Sequence, residues 1–121
     1  MLEVLLQTTV ARRVSHLLFA PNETLHAPHL IDLEIAQVIR RYTRSRRISI
    51  ERAAEVLNDL GDFPLTRYPH SVLLKRIWEL RNGLTAYDAA YVALAEALDA
   101  PLITRDRALA KGGGRARVEV I

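Results

Sequence analysis

Apolar residues recur along this chain mostly at helical spacing, interrupted by short runs of strand length. Ile31, Ile35, Val38, Ile39 and Tyr42 fall on one face of a helix predicted over residues 29 to about 42. Ser49 caps a further helix over about 50–60 that Gly61 is expected to end. Leu73, Leu74, Ile77 and Leu80 mark a helix over 71–81, with Trp78 and the tyrosines at core spacing and read as packing. Upstream, residues 2–7 predict the tail of a helix and 10–19 a second one, with a turn at 20–23. Strands are predicted at 24–27, 63–67, 102–104 and 118–121, with a short helix near Asp106 and a flexible loop at Gly112–Gly114. Short strands alternating with helices predict a parallel α/β sheet in layers.

Residues 85–98 stand apart from this amphipathic pattern. Ala and Leu dominate, Thr85 can cap the start, and no Gly or Pro interrupts the run. Tyr87, Tyr91, Leu94 and Leu98 form one stripe, and alanines cover most of the rest. A helix apolar nearly all round is expected to be buried. It carries two charges. Glu96 lies opposite the stripe and is expected to reach water, whereas Asp88 lies in the first turn among small apolar residues. A carboxylate buried there is costly unless something pairs with it. Two readings of Asp88 follow. Thr85-x-x-Asp88 has the form of a capping box, and an acid in the first turn meets the positive end of the helix dipole. Alternatively Asp88 belongs to a ligand site, because the strand at 102–104 delivers Asp106 at its carboxyl end, where α/β sheets gather their ligands.

These residues carry a family resemblance. Leu84-Thr-Ala-Tyr-Asp-Ala-Ala-Tyr-Val-Ala-Leu-Ala, followed by Leu-Ile-Thr-Arg-Asp106, resembles the C-terminal half of a PIN domain, and more narrowly the VapC-type toxins of bacterial and archaeal toxin–antitoxin pairs. The likeness covers nearly the whole chain, which is expected to be a single PIN-like domain over 1–121. It implies a parallel sheet flanked by helices. It also exposes a difference: PIN domains begin with an apolar strand ending in Asp, whereas this chain opens at Met1-Leu-Glu-Val-Leu-Leu, where the following helix is already under way. The first, central strand and its Asp are therefore expected to be missing, and the 121 residues as written to be a poor nuclease.

Periodicity does not choose between Asp32 and Glu34, which sit at opposite edges of one apolar face. The resemblance chooses Glu34, because PIN domains place an acid in the helix after the second strand. It likewise assigns Asp88 and Asp106 to the family's third and fourth acidic positions and Thr104 to the small hydroxyl residue beside them. It implies Mg²⁺, with Mn²⁺ as a substitute, and hydrolysis of an RNA phosphodiester. Convergent carboxylates suit such a hard ion, which takes oxygen ligands and activates water. Partners implied in the same way are an RNA substrate, an antitoxin and a second copy in a homodimer, in the cytoplasm and without a membrane.

Composition narrows the alternatives. Half the chain is apolar, cysteine is absent, and nothing approaches the length of a membrane span, so neither thiolate chemistry nor a membrane-spanning helix is expected within these residues. The net charge is +3, and the cations are arginines except for Lys75 and Lys111. The run holding Arg40, Arg44 and Arg47 is either a solvated face complementing a helix C-terminus or an RNA-contacting edge. His26-x-x-His29 lacks metal-ligand spacing, and no nucleophile elbow, dinucleotide fingerprint or Walker loop is present. The rival from a different class is a catalytically inactive PIN-like module that binds an antitoxin or RNA. A receiver-like signalling domain is disfavoured, since no strand-end Asp lies near the N-terminus.

Overall fold

The computed structural model describes residues 24–104 and 107–120. The helices expected over 2–7 and 10–19, and the turn after them, lie outside the described residues. The chain divides into two compact units: residues 24–26 with Ile31–Thr66, and Ala27–Leu30 with 67–120. Strands β1 (Leu25–Pro28) and β2 (Leu65–Tyr68) pair in a two-stranded sheet.

In the first unit, α1 (Leu30–Arg44) buries Ile31, Ile35 and Ile39, a strict four-residue repeat. It ends where Arg46 enters the left-handed region at φ 59°, and the Arg47 N–H returns to the Tyr42 carbonyl at 2.9 Å. Helix α2 (Ile50–Asp62) opens on Ser49, whose hydroxyl accepts the Arg52 N–H at 3.0 Å, and buries Ala53, Val56 and Leu60. Gly61 does not stop it. The helix continues to Asp62 and closes on Phe63, because neither Gly61 nor Phe63 adopts a positive φ and Pro64 does the breaking.

The second unit holds the helix that the sequence singled out. The helix expected over 71–81 is in fact two pieces: a 3-10 turn at His70–Val72 and α3 (Leu74–Glu79). Leu73 separates them at φ −107°, ψ −8°, its N–H tied three residues back to His70 at 2.8 Å. Leu73, Ile77 and Leu80 take the inward positions, which turns Trp78 outward; the ring is exposed and does not pack in the core. Helix α4 (Ala86–Leu98) buries Ala89, Ala90, Val92, Ala93, Leu94 and Ala95. Tyr87 and Leu98, expected in its buried stripe, are exposed instead. An alanine-rich helix is apolar in almost every direction, so its sequence carries little information about which side faces in.

Helix α4 stops at Asp99, which adopts the left-handed conformation (φ 49°, ψ 46°), and the Ala100 N–H closes on Ala95 at 3.0 Å. Strand β3 (Leu102–Thr104) follows and pairs in parallel with β4 (Val118–Val120), Leu102 opposite Val118 and Thr104 opposite Val120. A 3-10 segment, Arg107–Lys111, lies in the crossover between them. The core of this unit joins Leu80, Ala89, Val92 and Leu109, with Leu84, Leu102 and Val118 packed against it. The crossover also needs glycine. A side chain on Gly83 would strike the Gly112 carbonyl, and Gly114, at φ +82°, would bring one to 2.6 Å from Val92.

Candidate active site

The start of α4 is built by Thr85. Its extended backbone (φ −64°, ψ 160°) breaks the preceding turn, and its hydroxyl accepts the Asp88 N–H at 3.1 Å. That is half of the expected capping box, and it fixes the backbone of Asp88 in the first turn. The Asp88 side chain is half-buried, beside Ala89 and Ala90, which are fully inside. The backbone of Asp88 therefore serves the cap, while its side chain is only partly covered.

Strand β3 packs along α4. Its first residue, Leu102, rests on the cluster containing Ala89 and Val92, so the strand runs beside the helix that carries Asp88. Thr104 ends it, half-buried. Asp106 lies outside the described residues. Glu34 stands in the first unit, exposed in α1, whereas the neighbouring Asp32 is half-buried. Asp88 and Thr104 thus share the second unit, and Glu34 belongs to the first.

Charge on α4 is handled at its other acid. Glu96 was expected to reach water, but only 8% of its side chain is exposed. Arg76 on α3 donates Nε to Oε1 at 2.6 Å and Nη2 to Oε2 at 3.0 Å, and the Arg115 N–H donates to the same carboxylate. The Arg76 hydrogen bonds hold the Glu96 carboxyl below its ordinary 4.5, against the opposing effect of burial, with the Arg115 N–H adding to the shift. Sequence reading missed this pair. The available signal was an acid within an apolar, alanine-rich run and an arginine among the leucines of the helix before it. A cavity of about 360 Å³ lies alongside, lined by Glu96, Asp99, Arg115 and Arg117 among others. It sits toward the far end of α4 from Asp88, its lining beginning about 10 Å along the axis at 1.5 Å per residue, and is no part of the Asp88 end.

The basic run stands exposed at the C-terminal end of α1: Arg40 and Arg44 on the helix, and Arg47 with its guanidinium 5.7 Å from the centre of the Tyr42 ring. His26 hydrogen-bonds Thr24 at 2.7 Å, and His29 packs edge-on to His70, whose Nε2 accepts the Leu30 N–H at 3.0 Å. Among the described residues, no three histidine, aspartate or glutamate side chains stand together as a metal group. The donor types of the expected site, carboxylates and a threonine hydroxyl, are oxygen alone, which fits Mg²⁺ or Mn²⁺ and disfavours soft metals. No helix among the described residues is long and apolar enough to cross a membrane.

The chain is similar to known proteins. The PIN-domain profile matches residues 5–114. VapC ribonuclease Mb0985 of Mycobacterium bovis is 46% identical over 91 residues, 75% of this chain and 72% of that protein. Ribonuclease VapC1 of Mycobacterium tuberculosis is 48% identical over 90 residues, 74% of this chain and 68% of its own length. Ribonuclease VapC12 of the same species is 37% identical over 113 residues, 93% of this chain and 83% of its own.

Proposed function

The chain belongs to the PIN-domain family, in its VapC branch, and we propose that it is a metal-dependent endoribonuclease, the toxin of a type II toxin–antitoxin pair. The observation that carries the reading is the start of α4. A threonine-capped turn holds Asp88 half-exposed, and a strand ending in Thr104 packs along the same helix, within a chain that over about three quarters of its length is 46–48% identical to proteins named as ribonucleases. Residues 1–121 then form one PIN-like domain.

In this reading Asp88, Asp106 and Glu34 would hold Mg²⁺, or Mn²⁺, through carboxylate oxygens. When bound, such an ion lowers the pKa of a water and offsets charge developing on the phosphate. The chain's own residues do the remainder. The Thr85 cap stiffens the turn that aims Asp88. Thr104 offers a hydroxyl that can donate to a neighbouring carboxylate oxygen or to the phosphate. Arg40, Arg44 and Arg47, all exposed, supply phosphate contacts that place RNA without reading its sequence.

Partners follow from the family: an antitoxin that silences the enzyme, and a second copy in a homodimer, both in the cytoplasm where the RNA is. Exposed Leu33 and Ile50 in the first unit are apolar surface on which such partners would draw. The test is incubation of the purified chain with single-stranded RNA, with Mg²⁺ supplied or chelated. Cleavage only in the presence of the ion supports the proposal. Retained RNA or antitoxin binding without cleavage under either condition would instead identify an inactive PIN-like module.

A further inference from the structure

Trp78 is the sole tryptophan of the chain, and it is 67% exposed. A ring this large seldom stands so far out of a folded protein without a partner to meet. It is also prepared. The Arg81 guanidinium lies over the ring, 4.6 Å from its centre, and Nη1 of the same group donates to the Trp78 carbonyl at 2.9 Å. One hydrogen bond and one cation–π contact thus hold the arginine in place. Among the described residues no carboxylate pairs with Arg81, so its charge is left for an anion from outside. Glu79, next along the helix, is turned to Arg76 at 3.9 Å, while Lys75 is exposed. In the same unit Tyr87 is 65% exposed, immediately before Asp88.

We infer that Trp78 and Arg81 form a stacking platform for an unpaired base of the RNA, the guanidinium taking the adjacent phosphate. The proposal rests on the ribonuclease reading and deepens it. It assigns the substrate's single-stranded character to particular residues, because a base held in a duplex has no free face to lay on an indole. Aromatic rings joined to arginines are the means by which proteins grip single strands with little sequence preference. A protein partner is the competing occupant. The exposed cations at the ring, Arg81 over its face and Lys75 on the same helix, favour the nucleic acid.

Because Trp78 is the only tryptophan, its fluorescence reports this surface alone. The experiment titrates the full chain carrying Asp88→Asn, which keeps RNA intact, with a short labelled single-stranded RNA of mixed sequence. Indole emission and label anisotropy are read together. The expected result is saturable quenching that tracks the anisotropy and is weak with the same sequence as a duplex. Trp78→Ala should weaken binding roughly 5- to 150-fold, the range for one lost base–aromatic stack. Trp78→Phe should recover most of it, and Arg81→Ala should lower the salt dependence by about one counterion. Undiminished RNA binding by Trp78→Ala, with no change in indole emission of the parent, would overturn the platform and leave the nuclease reading standing. Quenching by RNA in a wild-type chain that never cleaves would do the reverse. A concentration-dependent blue shift without RNA would assign the surface to a second copy and overturn the inference.

Discussion

Arg76 and Glu96 meet through two parallel hydrogen bonds, 2.6 and 3.0 Å, joining α3 to the helix that carries Asp88. The geometry is the bidentate fork of guanidinium and carboxylate, more specific than a contact between point charges. With the Arg115 N–H on the same carboxylate, it also binds the segment after the glycine loop to α4. One nearly buried acid thus fastens three stretches of the second unit.

The pair makes stability depend on pH in a definite direction. The Glu96 carboxyl is held below 4.5 in the folded chain, so its contribution is fully present at neutral pH. It is lost as pH falls through and below 4.5, where the unfolded chain takes up the proton first. Thermal melts over descending pH should show the midpoint falling through that window, and Glu96→Gln should flatten the slope. An identical slope in the variant would remove Glu96 as its cause.

Core truncation should be felt most around Leu80, which packs with Ala89, Val92 and Leu109. Leu80→Ala is expected to cost about 2–5 kcal/mol in urea unfolding, the range for a buried leucine whose neighbours cannot close the gap. A loss under about 1 kcal/mol would mean that the site collapses freely.

Gly114 combines a positive φ of +82° with a close approach to Val92. Gly114→Ala should destabilise by about 1–3 kcal/mol, the usual cost of a residue held in a sparsely allowed conformation. Gly113→Ala, also at positive φ but in open space, should cost less, which separates backbone strain from collision. Equal losses would show that crowding against Val92 is irrelevant.

Much of this was legible in the chain. The four-residue repeat of Ile31, Ile35 and Ile39 named the buried face of α1, and Thr85 marked the start of α4 because a hydroxyl before an alanine run has one main use. The failures share a cause. Trp78, Tyr87 and Glu96 were misplaced because periodicity ranks faces only where polar and apolar residues contrast. Along α4 they scarcely do, and α3 is too short for a face to average out. The Arg76–Glu96 bond spans twenty residues of sequence, beyond any local pattern. At the candidate site, a motif singles out Asp88 and Thr104, whereas for the acid of α1 burial does not favour Glu34 over Asp32.

The Thr85 cap links stability to the site. Thr85→Ala should cost about 0.5–2 kcal/mol, and it should lower RNA cleavage beyond what the unfolded fraction explains, since the turn holding Asp88 loosens. Thr85→Ser, which keeps the accepting oxygen, should restore both. Cleavage that follows stability alone would make the cap purely structural.

The central claim, that Asp88 serves metal-dependent cleavage of RNA, is tested most directly by the single-turnover rate of Asp88→Asn at saturating Mg²⁺. Asparagine preserves the size of the side chain and the Thr85 bond to the backbone, and a melt of the variant run alongside gives the folded fraction by which the rate is corrected. The rate is predicted to fall by at least the roughly 10–100-fold that even an indirect disturbance of a metal ligand costs. An undiminished, Mg²⁺-dependent rate in a folded Asp88→Asn chain would contradict the account.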